Sequence, residues 1–389
     1  MMTNIQTTPA EQMLGQLLPT RRTESFHYTD LRSLIREFPA PVITPETGGD
    51  NYKRIVDASR LPIFDGKFFD ALKDELPAGV TLVHDVERPS ANGLDDTLLA
   101  INGLGESDAF GVVIEGDATS EKPLGLAHVA NSAGLTNVYH NVTVKPGANA
   151  CVIDRYVSSD GIAHVSSTVV DLSIENGATA NWIIIQEENT DATRLARLNI
   201  SLAENADLNV FILNAGGKLV RQEINVVVSG ENANLDIKGV NLIGGNSHVD
   251  VTTVLAHNVP NTTSNQLFRN IMTGQGKGVF QGQIKVHQIA QKTDAKMACN
   301  TLLLSDDAAF YAKPELEIFA DDVICGHGAT VTELEDDHLF YLMARGIKER
   351  TARALLVEAF VDEVVEELES EPLIEALEEI IARWLEKNG

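Results

Sequence analysis

The stretch from Pro314 to Val331 reads Pro-Glu-Leu-Glu-Ile-Phe-Ala-Asp-Asp-Val-Ile-Cys-Gly-His-Gly-Ala-Thr-Val, and it sets a thiol, Cys325, two residues before an imidazole, His327. Leu316, Ile318 and Ala320 alternate with polar or edge-facing residues, the period of a pleated strand. Positions i and i+2 of a strand share a face, so thiol and imidazole are expected side by side. Such a pair can handle a soft metal or sulfur, or act as an activated nucleophile. A buried cysteine packing as a small hydrophobe beside a locally bonded histidine fits the same spacing.

Other chemistry is sparse. Cys151 and Cys299 lie far from Cys325, and no Cys-x-x-Cys occurs. Neither a zinc ribbon nor a ferredoxin-type site is therefore written here, and a disulfide framework is not expected in so Cys-poor a chain. Cys151 and Cys299 read as packing residues. His248, His257 and His287 fall in β-like segments and are ligands only in principle. Gly274-Gln-Gly276-Lys277-Gly278 lacks the spacing and hydroxyl of a phosphate loop, so any ATP hydrolysis must come from another chain. Neither His-Glu-x-x-His nor Gly-x-Ser-x-Gly is present.

The elements that must position the pair fall into three parts. Residues 1–100 read as mostly helical, with stripes at Met13, Leu14, Leu17 and Leu18 and at Leu31, Leu34 and Ile35, and a hairpin around Asp65-Gly66. Residues 101–335 carry short β-rich runs, among them Val112–Ile114, Trp182–Ile185 and Val249–Val251, separated by Gly, Asn and Asp turns. Ala148, Ala178, Ala206 and Ala233 follow a Gly or Asn at each turn, a repeat of roughly 27 to 30 residues that suggests stacked coils. A two-sheet sandwich is the alternative. Residues 336–389 read as helical, with a cap at Gly346 and an apolar line through Ala352, Leu356, Phe360, Val364 and Leu368. A last helix follows Ser370, lined by Leu373, Leu377, Ile380, Ile381 and Trp384. These faces suit either docking on the β region or a partner groove.

The 389 residues carry 30 Lys and Arg against 56 Asp and Glu, a net charge of −26. That balance disfavours nucleic acid and anionic membrane surfaces, which need clustered cations. No apolar run approaches the roughly 20 residues that span a bilayer. Met1–Pro9 have neither a basic start nor an apolar stretch, so a cytoplasmic location is expected.

Asp321-Asp322-Val323-Ile324-Cys325-Gly326-His327-Gly328-Ala329-Thr330-Val331 resembles the signature of the SufB/SufD family, scaffold proteins of the SUF iron–sulfur cluster assembly system. Ser264-Asn265-Gln266, Val279–Ile284, Ala290–Ala295, Asn300–Ser305, Leu339–Leu342 and Arg345-Gly346-Ile347 fall in the family's order and spacing. Glu24–Leu31 is similar to its Trp-Lys-Tyr-Thr segment, with Phe26 where Trp is usual. Thr332 departs from the pattern, standing where the family usually has Gly; a turn with positive φ there would be strained. The Cys-Gly-His-Gly-Ala-Thr run and the short acidic C-terminal helices favour the D-type branch.

The resemblance implies a mainly β fold, a right-handed β-helix core with small helical domains at both ends. It implies a non-enzymatic scaffold that pairs with SufB through the β-helix end bearing Cys325 and His327. It further implies an ATPase partner, SufC, bound through the C-terminal helices, and a homodimer is open to the chain when alone. Removing residues 348–389 is then expected to abolish ATPase binding and leave the β region folded. The resemblance carries a part in cluster formation onto His327 and Cys325, with His327 a metal ligand shared with the partner. No cofactor is expected to be bound permanently; iron or a cluster would be held transiently with SufB. Two other readings are a carbohydrate-active β-helix enzyme and a Cys–His hydrolase using Cys325.

Overall fold

The computed structural model describes residues 18–36, 39–47, 52–84, 86–91, 96–104, 108–118 and 122–388. The first described elements are a 3-10 turn at Glu24–Phe26 and helix α1 (Leu31–Leu34), then β1 (Ser59–Phe64), β2 (Lys67–Phe68), β3 (Val80–His84) and α2 (Thr97–Asn102). The body follows as β4 (Asp108–Ile114), β5 (Leu124–Ala130), β6 (Gly134–Val144), β7 (Asn149–Ser158), β8 (His164–Ile174), β9 (Thr179–Glu187), β10 (Thr193–Leu202) and β11 (Asp207–Asn214). It continues with β12 (Leu219–Val228), β13 (Asn234–Ile243), β14 (His248–His257), β15 (Thr263–Met272), β16 (Lys277–Val286), β17 (Asp294–Leu303), β18 (Ala309–Ile318) and β19 (Ile324–Glu333). Helices α3 (Asp336–Ala344), α4 (Glu349–Val365) and α5 (Glu371–Asn388) close the chain.

Successive strands alternate between two sheets. Odd strands β5 to β19 form one parallel ladder, ended by β1 and β2; even strands β4 to β18 form the other, ended by β3. The chain thus winds as a right-handed solenoid of about eight turns, and the sandwich alternative is excluded. Its repeat comes from one recurring corner. Gly147, Gly177, Asn205, Asn232, Asn261 and Lys292 hold φ between 55° and 68°, conformations that Gly and Asn adopt at least cost. The Gly147 amide donates to Asn176 O at 3.0 Å and the Gly177 amide to Glu204 O at 2.8 Å, so each corner is bonded to the next. Ala148, Ala178, Ala206 and Ala233 are at most 1% exposed, because only a small side chain fits between stacked corners.

The inward strand faces fill the lumen with Val, Ile, Leu and Phe. One inward column is polar along its whole length from His128 to Thr301. His128, Tyr156, Gln186, Asn214, Asn241, Asn270 and Thr301 stand in register on successive coils. Asn214 donates to Asn241 at 2.7 Å, Asn241 to Asn270 at 2.8 Å and Asn270 to Thr301 Oγ1 at 3.1 Å. A one-residue slip would turn this column outward, so the ladder helps fix the register.

The apolar faces of α4 and α5 are spent inside the molecule. Val361, Val364, Leu377 and Ile381 pack on the outer face of the odd-strand sheet, against Ile153, Ile183, Phe211, Val240, Ile271 and Leu302. Leu377 and Val361 are 0% exposed, each such burial stabilising by about 1.5–3 kcal/mol. The buried line on α4 is Ala352, Val357, Val361, Val364 and Val365. Leu356 and Phe360 are only partly buried, which corrects the expected line.

The first hundred residues are not mostly helical among those described. β1 pairs in parallel with β5 and β3 antiparallel with β4, so this segment supplies the solenoid's closed end. The Asp65-Gly66 hairpin is present, with Ile63 opposite Phe68 and positive φ at both turn residues. Met13, Leu14 and Leu17 lie outside the described residues.

Candidate functional site

Among the described residues β18 and β19 are the last strands of their sheets, with no further strand beyond them. An uncovered edge presents a row of free N–H and C=O groups. Apolar groups crowd this end: Phe319, Ile324 and Val331 are 58%, 67% and 46% exposed. Among the described residues this solenoid face is uncapped.

Cys325 pairs with Ala295 and His327 with Met297, both buried in the lumen. Parallel in-register strands point paired residues the same way, so thiol and imidazole share the inward face at the solenoid mouth. Cys325 is half-buried against the core. Burial pushes its thiol above the ordinary value; the Ala295 backbone N–H works against this and the Asp294 carboxylate adds to it. A nucleophilic cysteine needs the opposite shift, which removes support for the hydrolase reading. The His327 ring is exposed and makes no hydrogen bond or ion pair among the described residues.

The motif segments lie beneath this mouth. Gln266, Met297 and His327 form one column on three coils. A Cβ on Gly282 would come within 2.1 Å of Met297 Sδ, so that glycine makes room for the sulfur below His327. Thr330 Oγ1 donates to Asn300 Oδ1 at 2.9 Å and ties β19 to the coil below. Thr332 sits within β19 opposite Leu302 and without positive φ, so the strain expected there is absent.

The other sequence candidates have structural surroundings. His248 is bonded to Thr29 Oγ1 at 2.9 Å, and His257 to Thr262 Oγ1 at 2.8 Å and Ser264 Oγ at 3.0 Å. His287 is exposed and lies just past β16. Burial pushes the Cys151 thiol up to about 11 and that of Cys299 to about 12, so neither is a thiolate at neutral pH. Among the described residues no three His, Cys, Asp or Glu side chains converge as a metal set. The mouth therefore offers an imidazole and a thiol, short of a complete cluster site.

The sequence marks Leu339–Leu342 and Glu24–Leu31 as motifs, but not two features of their surroundings. One is the exposure of large apolar side chains on α3, where Phe340, Tyr341 and Met343 are 73%, 57% and 43% exposed; Leu355 on α4 is 42% exposed. The other is the berth of Glu24–Leu31 on the outer face of the even-strand sheet. Arg221 and Asp250, both 0% exposed, pair beneath it, with Thr29 bonded to Asp250 and Phe26 under the Arg221 guanidinium at 4.7 Å. Helical stripes mark neither, because both depend on which surfaces the folded chain covers and which it leaves bare.

Buried histidines make the fold sensitive to acid. Burial lowers His257 to about 4, and burial, then the neighbouring His128, holds His140 well below the ordinary value. The unfolded chain protonates these rings near pH 6.5 and the folded chain only at lower pH, so their stability is full above 6.5 and is lost as pH falls. For His257 alone this amounts to about 3 kcal/mol. His164 acts oppositely: burial disfavours its charge, but the Glu188 carboxylate 2.9 Å away outweighs it and raises the value. Its share is present below 6.5 and fades as pH rises through the raised value. The melting temperature is expected to fall from pH 7 to pH 4.5, and less steeply in His257→Gln. An equal fall in that variant would exclude His257 as a source.

Comparison with known proteins adds the following. Residues 128–360 match the family model described as SUF system FeS cluster assembly, SufBD core domain. The chain is 32% identical over 378 residues to the iron–sulfur cluster assembly protein SufD of Escherichia coli, covering 93% of this chain and 88% of that one. It is 26% identical to the chloroplastic protein ABCI7 of Arabidopsis thaliana, covering 93% and 82%. It is 27% identical to a SufBD family protein of Synechocystis, covering 92% and 86%.

Proposed function

Because the chain belongs to the SufBD family of iron–sulfur cluster assembly proteins, we propose that it is a D-type, non-enzymatic scaffold subunit completed by a SufB-type partner. The observation that carries this is the uncovered last coil, with an inward-facing thiol and imidazole at its mouth. A partner strand laid along β18 or β19 would satisfy the free edge by strand addition. It would also bring its own ligands to the side of His327 and Cys325. The cluster is cargo in this reading: His327 supplies one nitrogen ligand, Cys325 a neighbouring sulfur, and the partner the rest. Alone, the same edge is free to pair with a second copy.

A SufC-type ATPase is assigned to α3, with its exposed Phe340 and Tyr341. Aromatic residues left in water are the type that dominate interfaces. The faces of α4 and α5 turned to the odd-strand sheet are already occupied, which moves the docking surface from those faces to α3 and the adjoining end of α4. The carbohydrate-active reading is set aside by the family assignment. Among the described residues no helix is long and apolar enough to cross a membrane, and a cytoplasmic place is part of this proposal.

The test is co-expression of the tagged chain with SufB-type and SufC-type proteins. A stable ternary complex that accumulates iron and sulfide is expected. Recovery of the chain without either partner would refute the assignment.

A further inference from the structure

Glu24–Leu31 reaches further than its own berth. Its anchor lies on β12, β14 and β16, where Ser25 O accepts from Arg221 Nη2 and from Gln281 Nε2, each at 3.1 Å. From there it extends onto β18. The Tyr28 ring stacks on Tyr311 at 5.3 Å with 25° between planes, and Glu24 pairs with Lys313 at 3.0 Å. β18 is an edge strand with no fully buried residue, bonded to a neighbouring strand on one side. Interior strands of the solenoid have a neighbour on each side.

We propose that Glu24–Leu31 is a clamp that holds β18 in register on the solenoid body, making Tyr28, with Glu24, a positioning residue for the partner-facing coil. The buried anchor and the less buried tip divide the labour. Arg221, Asp250 and Gln281 hold Ser25, Phe26 and Thr29 of the segment to three interior strands, while Tyr28 and Glu24 pass that rigidity to the edge. Without the tip, β18 keeps its ladder with β16, the packing of Phe310 and Leu316 on the core, and side-chain contacts such as Gln283 to Glu317 at 3.1 Å. Terminal strands bonded on one side open locally long before the whole fold does. The consequence for partner binding rests on the reading of the last coil given above; the effect on β18 does not.

Hydrogen exchange on the full chain tests this. In Tyr28→Ala combined with Glu24→Gln, protection of the β18 amides bonded to β16 is expected to drop roughly tenfold, with β8 to β12 unchanged. Tyr28→Phe keeps the stack and is expected to restore protection. Unchanged β18 exchange in the double variant would overturn the clamp, as would an equal loss over all strands, which marks a general fold contribution. Affinity for a SufB-type partner is then measured on the same proteins. A loss that tracks β18 exchange, and is rescued by Tyr28→Phe, supports the positioning role; loosened β18 with unchanged affinity would overturn it. Absence of partner binding by the parent chain would instead count against the proposed function.

Discussion

His327→Ala is expected to leave the protein folded and able to join its partners, and to take away most of its capacity to build a cluster. The ring is exposed and makes no hydrogen bond or ion pair among the described residues, so its loss should shift stability by less than about 1 kcal/mol. Assembly should persist, because one imidazole is a small part of a subunit junction of about 800 Å² per partner. Loss of an outer-sphere partner already costs a metal site about 10- to 100-fold, so loss of a direct ligand should exceed tenfold. Cys325→Ala is expected to lose as much or less, its thiol being half-buried and held protonated. Melting, complex formation and iron–sulfur content measured on one His327→Ala preparation decide the matter. Early melting with a full cluster complement would place His327 among structural residues.

The second large effect is expected at α3. Phe340→Asp with Tyr341→Asp puts two carboxylates where two exposed aromatic rings stood. Interface aromatics of this kind are worth about 2 kcal/mol or more each, so binding of a SufC-type ATPase should weaken by at least about a hundredfold. The fold should be spared, because neither side chain is in the core. Truncation at residue 348 is a poorer test than the sequence suggests. It would strip α4 and α5 from Ile183, Phe211 and Leu242, leaving a broad apolar sheet face in water. The shortened chain is expected to aggregate rather than keep a folded β region. Calorimetry with the double variant, alongside its melting curve, separates a lost contact from a lost fold; undiminished affinity would move the docking surface elsewhere.

The coils were legible because they repeat. Ala148, Ala178, Ala206 and Ala233 mark a corner that recurs where local sterics demand it, and local sterics are written in local sequence. The face of α4 was misread for a geometric reason. Steps of four residues turn a helix by 400°, so a strict line through 352, 356, 360, 364 and 368 drifts off any flat neighbour. A mixture of three- and four-residue steps, as in Val357, Val361 and Val364, stays on it. The fate of β1 was hidden because its partner is β5, some sixty residues on, and hairpin chemistry at Asp65-Gly66 says nothing of that pairing. Cys325 and His327 were legible as a pair, but their inward aim depends on register with Ala295 and Met297.

The two straps on the solenoid also set where its length can change in evolution. The α4–α5 pair lies across Ile153 on β7 through Leu302 on β17, and the Glu24–Leu31 segment runs from β12 to β18. A coil inserted where the two straps overlap, between β12 and β17, would move one end of each strap by about 4.8 Å and break contacts on both faces at once. A coil gained or lost between β4 and β6 would disturb neither strap. Length variation among relatives should therefore gather at the closed end, with the distance from helical saddle to open mouth conserved like a gauge.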